Sequence, residues 1–215
     1  MRMRSLAGWL AVLTLTVLVG AGCHPGEIDE IAELDIVVTF YDETVDFGAF
    51  GTYAMEDTIY NLNVLQDPGE EDTLDRRFDA QIIAQVKAEM ADRGYALADT
   101  SSATDLRIGL GAFDTPGTLV YANLPWWGGS SGRWWPSWGS TDFTEGTLVV
   151  LLADWAGRDP ATGEFDPLWT GGLDGVLEES RANTSTRLEN GIAQMYRQSP
   201  YLKSNVTELE PGEVR

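Results

Sequence analysis

Cysteine, histidine and carboxylates carry much of protein chemistry, and this chain distributes them unevenly. It holds one Cys and one His, adjacent at Cys23 and His24, against 34 acidic residues. A lone thiol has no disulfide partner and no Cys-based metal set around it. Zinc sites need His or Cys ligands, and neither residue type occurs beyond position 24. Nucleophilic Ser or Thr catalysis usually relies on a His or Lys base, and no spacing marks such a pair. Gly109 and Gly111 sit inside an alternating apolar segment, so they make no phosphate-binding loop. No cofactor is implied. Three chemistries remain: carboxylate pairs, acylation of the thiol, and contact through aromatic rings.

Cys23 stands at the end of a secretory-type signal. Arg2 and Arg4 precede an apolar run from Leu6 to Val19, and Gly20, Ala21 and Gly22 lead to the thiol. A basic start, a short apolar stretch and small residues at the cut define such signals. The run is shorter than the roughly 20 apolar residues that a membrane span needs. The segment resembles a bacterial lipobox, in which the Cys becomes the lipidated first mature residue. Lipoboxes usually carry Leu three places before the Cys. Here that place is Gly20, with Leu18 further back. The plainer alternative is an ordinary cleaved signal with an incidental Cys. Lipidation implies a membrane partner reached through acyl chains, and stable anchoring takes more than one chain. In such lipoproteins an Asp directly after the Cys favours the inner membrane. His24 therefore points to the outer membrane, facing the periplasm.

The carboxylates give no local signature. Asp67, Glu70, Glu71, Asp72 and Asp75 form one cluster; Asp154, Asp159, Glu164 and Asp166 form another. Neither follows the twelve-residue calcium-loop pattern, and helix capping and turn chemistry account for both. No metal site is assigned. A pair of acids converging in a cleft would suit a glycan hydrolase, so carboxylate-dependent envelope hydrolysis stays as the alternative function. The formal net charge of −20 excludes nucleic acid as a partner, because phosphate binding depends on Lys and Arg.

The aromatic candidate is sharper. Five of the eight Trp, namely Trp126, Trp127, Trp134, Trp135 and Trp138, fall among Gly and Ser between Asn123 and Asp142. Gly and Ser cannot bury five indoles. The rings must fold back on the domain, meet a protein or glycan partner, or sit at a membrane interface, where Trp is favoured.

The elements that would position these residues follow from periodicity. Ile36 to Tyr41 is β-branched and aromatic, as strands are. Asp46 to Met55 reads as a turn and a second short extended piece, and 61–72 as loop. Leu74, Phe78, Ile82, Val86 and Met90 recur every four residues, giving a helix over Thr73 to Arg93, capped by Asp72 or Thr73 and closed by Gly94. Leu106, Ile108 and Leu110 alternate on one strand face, and Leu119 to Tyr121 is extended. Gly146 to Asp154 is the strongest strand, and Pro167 to Gly171 should return antiparallel to it. Leu188, Ile192, Met195 and Tyr196 mark a second helix, with Pro200 beyond its end. The predicted fold class is α+β: a two-layer domain whose mainly antiparallel sheet of about five to six strands carries two helices on one face. Residues 1–22 are the signal, 23–34 a tether, 35–202 the domain and 203–215 a disordered acidic tail.

Four segments resemble a bacterial lipoprotein family known as domain of unknown function 4136. They are Asp46-Phe47 with Phe50 and Thr52-Tyr53; Arg93-Gly94-Tyr95 with Thr104-Asp105-Leu106; Gly146-Thr147-Leu148-Val149 running to Asp154; and Leu168-Trp169-Thr170-Gly171. Thr170 replaces the family's usual Arg, and Met55 stands where a Trp is common. The resemblance implies a periplasm-facing lipoprotein of unsettled activity and supplies no catalytic residues. The expectation is a non-enzymatic binding or structural module of the envelope, anchored at Cys23, with the Trp segment as its contact surface.

Overall fold

The computed structural model describes residues 36–114, 116–119, 141–143, 146–158, 165, 167–177 and 183–206. Six strands form one sheet. They are β1 (Ile36–Tyr41), β2 (Thr52–Asn61), β3 (Ala96–Leu97), β4 (Leu106–Ala112), β7 (Leu148–Asp154) and β8 (Pro167–Asp174), in the spatial order β1-β8-β7-β4-β2-β3. Pairings β1/β8, β8/β7 and β7/β4 are antiparallel, while β2 runs parallel to both β4 and β3. The fold is α+β, and its open mixed sheet is mostly antiparallel. Helices α1 (Leu62–Gln66) and α2 (Asp79–Asp92) follow β2, and α3 (Thr184–Arg197) follows β8. Helix α2 connects parallel strands, which cannot be joined by a tight turn.

Strand β7 shows why the sheet needs cover on both sides. Its alternate residues Leu148, Val150 and Leu152 enter the main core with Ile82, Val86 and Met90 of α2 and Leu188, Ile192, Met195 and Tyr196 of α3. Both helices thus share one face. The intervening Val149, Leu151 and Ala153 enter a second cluster with Leu62, Phe113 and Phe165. A strand buried on both faces reads as a continuous apolar run, as this one does. Each fully buried aliphatic side chain contributes roughly 1.5–3 kcal/mol. Helix α3 lies close on β8 because two small residues allow it. A Cβ on Gly171 would meet Met195 Sδ at 2.2 Å, and one on Gly191 would meet Leu173 Cδ2 at 2.4 Å.

The expected elements are present with four local differences. The long helix begins later than Thr73, with one 3-10 turn at Arg76–Phe78 capped by Asp75, and becomes α-helical at Asp79. Residues 72–74 are drawn away by other partners: the Thr73 amide and hydroxyl donate to Asp114, at 3.0 and 2.6 Å, and Asp72 accepts from Asn61. Its other end is closed by Gly94, at φ +83°. Second, α1 occupies the expected loop 61–72, with the Asn61 side chain accepting from the amides of Asn63 and Val64. Third, the short β5 (Gly117–Leu119) pairs with β6 (Thr141–Phe143) as a separate two-stranded ladder. Fourth, residues 203–206 belong to the fold: Ser204 N donates to Arg93 O, Ser204 Oγ to Phe50 O, and Asn205 N to Gly48 O. The remainder of the predicted tail, 207–215, lies outside the described residues.

Candidate functional site

Cys23 and the five clustered tryptophans, Trp126, Trp127, Trp134, Trp135 and Trp138, lie outside the described residues. The described flanks of the Trp segment are β5 and β6, whose innermost pair is Leu119 with Thr141. The acidic clusters have local work. Asp67 accepts from the Gly69 amide, Asp75 caps the 3-10 turn, and Asp154 accepts from the Gly157 amide at 2.7 Å. No group of three or more potential metal ligands exists among the described residues.

One close carboxylate pair does occur. Asp72 and Asp114 both accept from Asn61 Nδ2, at 3.0 and 2.6 Å. Burial pushes the Asp72 carboxyl up, but hydrogen bonds from Asn61, Arg76 and the Leu74 amide, with the Arg76 charge, outweigh it and hold it below the usual range. A general acid needs the opposite shift. These acids fasten the 72–75 segment to the ends of β2 and β4.

A different corner has unmet hydrogen-bonding capacity. Where β4 begins and β7 ends, a cleft of about 460 Å³ is lined by the Thr100–Asp105 turn, Arg107, Trp155, Ala156 and Arg158. Its frame is Asp105. That carboxylate accepts from the Gly51 amide, the Thr52 amide and Thr52 Oγ1 at 2.8–3.0 Å. Its backbone carbonyl accepts from the amides of Trp155 and Ala156. One residue thus fixes the starts of β2 and β4 and the exit from β7. Arg107 projects from the β4 face opposite Leu106 and Ile108, because strand side chains alternate.

Both guanidiniums converge on one indole. Arg107 lies 4.0 Å and Arg158 4.5 Å from the Trp155 ring centre. Arg107 also donates to Thr100 O at 2.8 Å, and Arg158 to Trp155 O at 3.0 Å. Among the described residues neither forms an ion pair, whereas Arg76, Arg77, Lys87 and Arg93 each hold a carboxylate. Thr104 is only 4% exposed, and among the described residues its Oγ1 has no hydrogen-bond partner; nor has the buried Arg107 Nε. An unmade buried hydrogen bond costs about 1–3 kcal/mol. Asp105 lines the cleft, and Asp99 and Asp154 directly precede its lining residues Thr100 and Trp155. Asp99 accepts from Ser101, whose hydroxyl and amide hold its carboxyl below the usual range. Asp105 and Asp154 are committed as above. Sequence reasoning passed over this site. Its one linear signal is Arg107 on the polar phase of an apolar alternation.

The model of a family described only as a domain of unknown function, DUF4136, matches residues 37–201. The chain belongs to the DUF4136 family. A crystal structure of a DUF4136 family protein from Bacteroides thetaiotaomicron is similar in fold. It is 23% identical with a TM-score of 0.58, and the match covers 79% of this chain and 97% of that one. A PelC dodecamer from Paraburkholderia phytofirmans matches at 11% identity and a TM-score of 0.38, over 79% of this chain and 98% of that one. No curated protein matches. The segments that resemble DUF4136 have structural roles here. Asp46 caps a 3-10 turn, Tyr95 Oη donates to Phe47 O, and Trp169 Nε1 donates to Ser199 Oγ at 2.8 Å. Asp105 binds two of these segments together, and Gly146 takes φ +75°. In this DUF4136 chain Thr170 is 1% exposed and its Oγ1 has no partner among the described residues.

Proposed function

We propose that this chain is a lipid-anchored protein of the bacterial cell envelope, facing the periplasm from the outer membrane. Its domain serves as a non-enzymatic binding or packing module. The anchor rests on the signal-like start and on the single Cys23 behind small residues. The observation that carries the module reading is the β5/β6 ladder, which is hydrogen-bonded to itself and is not part of the six-stranded sheet. Its closing pair, Leu119 and Thr141, brackets the Trp-rich segment 120–140. A protein surface or a glycan is the partner that several indoles suit. No helix among the described residues is long and apolar enough to cross a membrane, so acyl chains on Cys23 would supply the attachment.

Carboxylate-dependent glycan hydrolysis is the competing proposal. It gains little from Asp72 and Asp114, whose hydrogen bonds go to Asn61, Thr73 and Arg76.

Intact-mass measurement on the membrane fraction tests the anchor: the expected species begins at Cys23 with added acyl mass. An unacylated or uncleaved chain refutes it. Replacing Trp126, Trp127, Trp134, Trp135 and Trp138 together by Ala tests the module. The variant should keep its far-UV spectrum and lose its cross-linked envelope partner or its glycan binding. Loss of folding, or retained binding, refutes the contact role.

A further inference from the structure

We propose that the cleft between the Thr100–Asp105 turn and Trp155 binds an oxyanion, a carboxylate or phosphate carried on a small ligand. Arg107 and Arg158 supply the charge and Thr104 Oγ1 a hydrogen bond. The site is independent of the Trp-rich segment and stands whether or not that segment binds anything.

Three observations converge. First, two cations that stay charged at all working pH values sit within 4.5 Å of one ring. They therefore lie within about one Debye length of each other, roughly 8 Å at physiological salt. In a chain of net charge −20, such a pair with no carboxylate partner among the described residues is unusual. Asp105, which lines the corner, and Asp99 and Asp154, next in sequence to lining residues, each accept from backbone amides. Second, two buried polar atoms, Thr104 Oγ1 and Arg107 Nε, lack partners among the described residues, and both residues line the cleft. Native interiors rarely leave such atoms unpaired. Third, about 460 Å³ is the size of small-molecule sites, which run from about 300 to 1,000 Å³. Guanidinium groups pair bidentately with carboxylate and phosphate oxygens. Stacking on Trp155 holds them in place, so less side-chain entropy is lost on binding.

The test is calorimetric titration of the detergent-solubilised full chain in a phosphate-free buffer. The probes are inorganic phosphate, glucuronate, and neutral glucose as control. Saturable binding of at least one anion is expected, weakened by salt and absent with glucose. A response to phosphate alone identifies a phosphate ester; a response to glucuronate alone identifies an acidic sugar. Arg158→Gln and Thr104→Val should each weaken the affinity about tenfold. Thr104→Val should leave the melting temperature unchanged or raised, since the lost hydroxyl has no partner in the free protein. The proposal is overturned if neither anion binds, if glucose binds as well, or if both variants bind like the parent. It also fails if Thr104→Val melts several degrees lower, because the hydroxyl would then already be satisfied.

Discussion

Trp169, within the sheet, and Trp155, just past the end of β7, do opposite things. Trp169 lies in β8, paired with Leu152, and is 1% exposed. Its ring packs 5.4 Å from Tyr196 and its Nε1 finds Ser199. Trp155 follows β7 directly. It is half-buried, tilted against Phe165 at 6.0 Å, with two guanidiniums over its ring. At Trp169 the indole N–H and the ring both have partners. At Trp155, among the described residues, the two guanidiniums bond only backbone carbonyls, and the buried Thr104 hydroxyl has no partner. A helix closes over Trp169, although the Tyr196 hydroxyl beside it also lacks a partner among the described residues, whereas Trp155 at the end of β7 stays half-buried beside the cleft. The same residue type therefore serves as core in one place and as a platform in the other, and what decides is whether a helix packs over it.

The largest effect should come from the closed side. Trp169→Ala removes a buried ring and one of the bonds to Ser199 Oγ, so a loss of about 3–5 kcal/mol is expected in urea unfolding. A loss under about 1 kcal/mol would mean the two tryptophans are not the contrast they look like. Asp105→Ala comes next. It strips acceptors from the Gly51 and Thr52 amides and from Thr52 Oγ1, which should cost about 2–3 kcal/mol by the same measurement. Because Asp105 frames the cleft without lining it with free charge, this variant should also weaken anion binding. If the stability falls but the affinity holds, the corner does not depend on its frame. The smallest change is expected at Trp155→Ala, about 1 kcal/mol, since the ring is partly solvated. Its clearer readout is anion affinity, which should drop as Arg107 and Arg158 lose their support. An effect as large as that of Trp169→Ala would erase the distinction between the two regions.

Much of the frame was legible in the sequence because it rests on periodicity. The four-residue spacing of Ile82, Val86 and Met90 gives one helix, and Leu188, Ile192, Met195 and Tyr196 give the other. The run Leu148–Asp154 gives the central strand. What escaped was short or depended on distant partners. Helix α1 has five residues, too few to show a period. The helix start at Asp79 instead of Thr73 depends on Asp114, forty-one positions away. Ser204 is held by Arg93 and Phe50, which composition cannot reveal. The cleft escaped for the same reason: Thr104 and Arg107 meet Trp155 and Arg158 only because β4 and β7 are neighbours.

The sequence alone determined the longer elements, the family, the apolar faces and the single thiol at Cys23, because each is written in local composition or spacing. The tertiary structure alone decided which polar atoms are satisfied. Hydrogen bonding and ion pairing are questions of distance, and distance between residues far apart in the chain is fixed only when the strands pair. That is why a chain with 34 acids could hide an arginine corner that forms no ion pair among the described residues.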